Sequence, residues 1–228
     1  MSGPARLAGI FLHPVLTARS LAERPGWVLA FVVGALVMAI ITFIVYPIAG
    51  GERMDRQRES GSMARMTEEQ YQQAREVAFK PVVRLISSVI APVIAVLVFQ
   101  ILLLGGLAHG AARLAGGKGS FRSMMALTAH GGLIHPALGS LLALPLILVK
   151  KSVAGVSLSL AALFPTLDPH GLPFGLLGVF SLTGIWFVIV FALGIQETHR
   201  LARGRAALAA AVPWFVVSVL GAIAQMHS

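Results

Sequence analysis

Residues 123–149, SMMALTAHGGLIHPALGSLLALPLILV, are long and apolar enough to cross a lipid bilayer. Yet they carry two histidines (His130, His135), a glycine pair (Gly131, Gly132) and two prolines (Pro136, Pro145). Hydrocarbon offers no partner to a polar side chain or to a carbonyl released by proline, so neighbouring helices must supply one. The stretch therefore reads as the protein-facing centre of a helical membrane bundle.

Four further apolar runs, 26–49, 82–107, 173–195 and 206–226, furnish that bundle. A helix rising ~1.5 Å per residue needs about 20 residues to cross a ~30 Å hydrocarbon core. Only 12% of the 228 residues are charged, about half the ~25% of a soluble domain, and those charges gather in short segments. The fold expected is an all-α integral membrane protein with five transmembrane helices and short interfacial amphipathic helices. The net charge of +9 lies beside apolar spans, where the asymmetry of membrane topology accounts for it without nucleic acid. Cysteine is absent, which excludes disulfides, thiolate metal sites and a thiol nucleophile.

Residues 1–25 place Leu7, Ile10, Phe11, Val15 and Leu16 at helical spacing, interrupted at His13-Pro14. They read as interfacial helices whose basic residues turn toward anionic headgroups. Span one, 26–49, has Trp27 and Tyr46 as interface anchors and is expected to end at Pro47 and Gly50-Gly51. A polar outer loop comes next at 51–80, where Thr67 and Gln70 form a capping-box pattern that predicts a helix over about 68–79. Pro92 is expected to kink span two. The run 153–164 is too short to cross and reads as an interfacial or partly re-entrant helix. With the N-terminus inside, Arg6, Arg19, Arg24, Arg113, Lys118, Arg122, Arg200, Arg203 and Arg205 share the inner side, and the C-terminus lies outside.

Polar groups inside or beside the spans are the candidate binding residues. Gln100 lies seven residues before the inner end of span two at Leu107, and His130 seven after the start of span three at Ser123. Both then lie about 10 Å deep and are expected to approach each other, as an interhelical hydrogen bond or as part of an ion or proton path. His130 and His135 are five apart, about 140° around a helix, so an undistorted helix does not let them chelate one metal, and a metal site would need Gly131-Gly132 and Pro136 to distort it. His135-Pro136 instead predicts a kink, with the imidazole bonding a freed carbonyl. His109, Glu197 and His199 fall together at the inner interface, as helix-end polar residues or, as a weaker alternative, as a divalent-metal set. Arg200, Arg203 and Arg205 form a basic turn suited to anionic lipid headgroups or a cytoplasmic partner. No HExxH, GxSxG, Walker A or intramembrane carboxylate pair occurs, so no enzyme activity and no cofactor is expected.

The pattern Ser181-Leu-Thr-Gly-Ile-Trp186, then Gly194-Ile, then Ala202-Arg-Gly-Arg-Ala206 resembles the Yip-domain family, five-span membrane proteins named for interaction with Ypt/Rab GTPases. Phe11-Leu-His-Pro14 with Pro25, and Ser157-Leu-Ser-Leu-Ala-Ala162, look like features of its bacterial members. Trp186 is thereby added to the candidate binding residues. The Asp-Leu-Tyr-Gly-Pro-type motif of eukaryotic members is lacking before span one, so the resemblance does not carry a GTPase partner over. It implies a bacterial inner-membrane protein with a cytoplasmic N-terminus. The expected role is non-enzymatic organisation of membrane lipids or protein partners, a second copy of the chain among them. The alternatives are a permease or channel with a polar path between spans two and three and, more weakly, a metal-dependent intramembrane enzyme.

Overall fold

The computed structural model describes residues 1–60 and 63–225, and among these the secondary structure is helical. Five segments are long and apolar enough to cross a membrane: Val28–Glu59, Pro81–Leu114, Phe121–Lys150, Leu182–His199 and Arg203–Ile223. Ahead of them lie α1 (Gly3–Leu12) and α2 (Pro14–Glu23), divided at His13-Pro14 as expected. Pro4 and Pro14 each stand in a first helical turn, where the missing N–H leaves nothing unsatisfied. The two helices do not turn all their cations outward. Arg6 is 7% exposed and donates to Ser20 Oγ (3.1 Å), the Ser20 carbonyl (3.0 Å) and the Arg24 carbonyl (2.8 Å). The Ser20 carbonyl already accepts the Arg24 N–H (3.1 Å), so Arg6 adds a second donor there and supplies one to the Arg24 carbonyl just past the end of α2.

Span one is α3 (Val28–Ser60), which runs through Pro47 and Gly50-Gly51 instead of ending there. Proline at 47 removes the N–H that would bond the Phe43 carbonyl, four residues back. Arg84 replaces it: its Nε and Nη2 donate to the Phe43 oxygen at 3.1 and 2.7 Å, and its Cζ lies 4.0 Å above the Phe43 ring. The helix beyond Gly51 is then held from the side. Tyr46 donates to the Ala78 carbonyl (3.1 Å), the Glu52 carboxylate accepts from the Val153 amide (3.1 Å), and Tyr71 donates to Asp55. Thus α3 reaches past the apolar core as a strut for the polar segments at that end.

The first of those segments forms α4 (Glu68–Ala78). Its capping box is complete: Thr67 Oγ1 accepts from the Gln70 amide (3.3 Å), and Gln70 Oε1 from the Thr67 amide (3.0 Å). Thr67→Ala removes one half of it and should cost α4 about 1 kcal/mol. The check is amide hydrogen exchange: residues 68–71 should exchange about fivefold faster, and unchanged exchange would show that side contacts hold the helix alone.

Span two consists of α5 (Pro81–Ile94), a π-wound stretch Ala95–Leu104, and α6 (Gly105–Leu114). Pro92 stands inside α5, just ahead of the wide winding. Span three is α7 (Phe121–Gly131), a π-wound stretch Leu133–Leu138, and α8 (Gly139–Lys150). It breaks at the expected place: His135 leaves helical geometry (φ −143°, ψ 118°) ahead of Pro136. Spans two and three run antiparallel. A Cβ on Gly105 would lie 3.1 Å from Thr128 Oγ1, and one on Gly132 would lie 3.6 Å from Gln100 Cγ.

Between spans three and four the expected interfacial helix is reduced to one 3₁₀ turn, Leu160–Leu163. The backbone here is committed elsewhere: Leu160 N donates to the Phe180 carbonyl (3.3 Å) and Leu182 N to the Leu158 carbonyl (3.0 Å), around a Ser159–Ser181 bridge. That bridge also divides the expected span 173–195 into α9 (Leu172–Val179) and α10 (Leu182–His199). Ser181 opens α10 as its N-cap, Oγ accepting from the Gly184 amide at 3.0 Å. The chain closes with α11 (Arg203–Gln225).

The core is centred where α7 and α10 cross. Phe187 and Phe191 stack at 5.0 Å and are buried with Leu127, Ile134 and Ile195. Glycines set the approach: a Cβ on Gly131 would lie 2.4 Å from Phe187 Cε2, and one on Gly194 would lie 2.3 Å from Leu127 Cδ1. Each helix thus offers a notch to a large side chain of the other. Without a hydrophobic drive between helices in lipid, this close packing holds the pair together.

Candidate functional site

The two ends of the bundle differ in charge. At one end meet α1–α2, the turn after α6 and the turn between α10 and α11. The two turns touch directly: Lys118 N donates to the His199 carbonyl (2.9 Å), and the Arg205 side chain donates through Nη1 to the Ala115 carbonyl (3.1 Å). The nine cations expected together, from Arg6 to Arg205, share this end with two acids, Glu23 and Glu197. The opposite end carries the remaining nine cations with the other seven acids, and there Arg58 pairs with Glu68. One acid of the basic end is already committed, since Glu197 binds Arg19 across 2.9 Å. The hydrogen bond first, then the charge, holds the Arg19 guanidinium above its ordinary pKa.

This pairing separates the three residues considered as a metal set. His109 and His199 do meet, Nδ1 to Nε2 at 3.0 Å, while Glu197 turns to Arg19. Among the described residues no three of His, Asp and Glu converge on a metal-sized gap. The hydrogen bonds define the protons of the pair. Thr198 donates to the Gly194 carbonyl (2.8 Å), so its oxygen accepts from His199 Nδ1 (2.9 Å). His199 Nε2 is then the acceptor and His109 Nδ1 the donor. The pair is capped by the glycine turn: a Cβ on Gly119 would lie 2.6 Å from both His199 Cγ and the Thr198 carbonyl. The arrangement locks two inter-helix turns together.

Gln100 does not pair with His130. Its amide nitrogen is buried without a hydrogen-bond partner among the described residues, and His130 Nδ1 donates to the Ala126 carbonyl of its own helix at 2.8 Å. Depth matching found the right level and the wrong face. Thr128 and Gly132, one turn apart, face span two, whereas His130 lies about 200° around from Thr128 and faces α1 and the start of α3. His135 also takes a different partner from the expected carbonyl: its Nδ1 lies 3.2 Å from Thr183 Oγ1 on α10. Trp186 is half exposed on the outer side of α10, with its neighbour Phe187 in the core.

In the basic turn, Arg200 closes α10 in the left-handed conformation (φ 54°) and is exposed. Arg205 holds the Ala115 carbonyl. Arg203 and Gln196 lie at the polar end of an otherwise apolar cavity of about 230 Å³ between α10 and α11, beside Val188, Ala192 and Ala207. Two cations of this end have a placement that the sequence did not reveal. Arg6 and Arg122 line a second cavity of about 190 Å³ with His130. Arg6 gave no signal, since only the fold brings the start of α1 against α7.

Five apolar helices, split N-terminal surface helices and one strongly basic end define a polytopic membrane protein. The chain belongs to the Yip1 domain family, whose model matches residues 8–224. Comparison with curated proteins and with solved structures gave no match.

Proposed function

We propose that this protein is a non-enzymatic organiser of a bacterial inner membrane, and that its basic end engages anionic lipid headgroups from the cytoplasmic side. The observation that carries the reading is the charge of that end, nine cations facing two acids, with one acid already paired to Arg19. Basic residues at a membrane surface each contribute about 1 kcal/mol toward anionic lipid, and exposed Arg200 and Arg203 are free of ion pairs among the described residues. In this orientation the N-terminus is cytoplasmic and the C-terminus, five spans on, is outside. The net charge of the N-terminal end supports it: each end carries nine cations, but only two acids offset them here against seven at the other end.

The test is lipid retention in nanodiscs of mixed phosphatidylcholine and phosphatidylglycerol, read by native mass spectrometry. The wild-type protein should retain phosphatidylglycerol in preference. The triple variant Arg200→Gln, Arg203→Gln, Arg205→Gln should lose about fivefold or more of that enrichment. Equal enrichment in both would overturn the lipid reading. Crosslinks from this face to one protein in native membranes, lost in the same variant, would replace it with partner docking.

A further inference from the structure

A cavity of about 190 Å³ opens where the N-terminal helices meet α7, lined by Arg6, Trp27, Val28, Leu29, Arg122 and His130 with the Pro25-Gly26 link. No acid lines it. Arg6 and His130 are both more than nine-tenths buried. Arg6 already spends three donors on α2, through Nε, Nη1 and Nη2, which leaves one N–H on each terminal nitrogen. Arg122 is exposed and has no hydrogen bond or ion pair among the described residues. With His130 Nδ1 donating to Ala126, its Nε2 is a lone-pair acceptor. The cavity therefore offers two guanidinium faces and one acceptor, with no acid among the described residues that line it to balance its charge.

We propose that this cavity binds the headgroup of a hydroxyl-bearing anionic phospholipid, the phosphoglycerol class. Its phosphate oxygens accept from Arg6 and Arg122, and a headgroup hydroxyl donates to His130 Nε2. Guanidinium groups match phosphate geometry, and hydrogen bonds between charged groups are about twice as strong as neutral ones. The acceptor adds the selectivity, because a headgroup without a hydroxyl leaves Nε2 unmet. The volume is below the ~300–1,000 Å³ of a drug-sized site, which suits a headgroup and not a whole soluble metabolite. Trp27 marks the interface depth, and Val28 and Leu29 begin span one, so the acyl chains continue along lipid-facing helix. This site deepens the anionic-lipid reading, but it lies on residues other than the basic turn.

The experiment measures lipid binding to the full chain in phosphatidylcholine nanodiscs doped with phosphatidylglycerol or with phosphatidylmethanol, an anionic diester without the hydroxyl. Wild-type protein should bind phosphatidylglycerol about tenfold more tightly than phosphatidylmethanol. Arg122→Gln, at an exposed position, should weaken both by about tenfold. His130→Phe should remove the preference between them; the phosphatidylmethanol affinity serves as its own control for folding. Unchanged affinity in Arg122→Gln, or binding of soluble glycerol phosphate without lipid, would overturn the proposal. If Arg122→Gln has no effect while the basic-turn triple variant loses enrichment, this site fails and the broader reading stands. The reverse result retires the basic turn and keeps the site.

Discussion

Replacing Arg84 with alanine should cost about 2–3 kcal/mol of folding stability, a large loss for a residue at the edge of the bundle. The reason lies in Pro47, on the neighbouring span. The proline leaves the Phe43 carbonyl without its helical donor, and Arg84 meets that oxygen twice, at 3.1 and 2.7 Å. Hydrogen bonds from a charged donor contribute about 1.5–3 kcal/mol. The alternative inside a membrane, an orphan carbonyl, costs several. Stacking on Phe43 adds about 0.5–1 kcal/mol. The mechanism has a distinctive signature. Pro47→Ala restores an N–H at position 47, so the carbonyl regains its own helix. In that background Arg84→Ala should cost only about 1 kcal/mol, the remainder of the stacking. Unfolding in mixed micelles would measure the cycle. An equal cost in both backgrounds would show that Arg84 acts through charge or packing alone.

Gly131→Val should be more damaging still, by about 3 kcal/mol, with loss of the ordered α7–α10 crossing. A Cβ there would lie 2.4 Å from Phe187 Cε2. Phe187 cannot give way easily, because it is fully buried and stacked on Phe191 at 5.0 Å. Overpacking a filled site forces side chains off their rotamers or helices apart, at about 1–3 kcal/mol and occasionally more. Phe187→Leu shortens the opposing side chain, so it should destabilise the wild-type protein yet recover part of the loss in Gly131→Val. Strictly additive losses in thermal unfolding of the detergent-solubilised protein would refute the notch.

The bundle was legible in the sequence because hydrophobic length is a one-dimensional property. The spans, the break at His13-Pro14, the capping box at Thr67 and the kink at His135 are all set by neighbours along the chain. The features that escaped it depend on partners across space. Proline and two glycines after Tyr46 look like a helix end. They are not one, because Arg84 satisfies Phe43, and Tyr46 and Glu52 anchor the turns on either side of the glycines. Ser181 is an ordinary N-cap residue, but its role as the start of a helix is visible only once residues 158–160 pair beside it. Gln100 and His130 show the limit most sharply. Counting residues gives a depth, whereas contact also needs an azimuth, and the Gly105–Thr128 and Gly132–Gln100 contacts assign that azimuth to other residues. For the basic end, the charge was legible and the cavity was not, because Arg6 reaches it through a fold that reverses direction at His13.

The ion pair between Arg19 and Glu197 joins residues 178 positions apart, and α2 packs chiefly on α10. A chain made from its N-terminus at about 5–20 residues per second therefore has α2 waiting on the order of ten to forty seconds before its main seat exists. During that interval Ile10 and Leu21 can rest only on the bilayer surface, on each other's helices and, once they are made, on α3 and α7. The finished protein thus closes from the last-made half back onto the first. Any ribosome-bound chain truncated before Leu182 should present an N-terminal segment open to proteases that the complete protein resists.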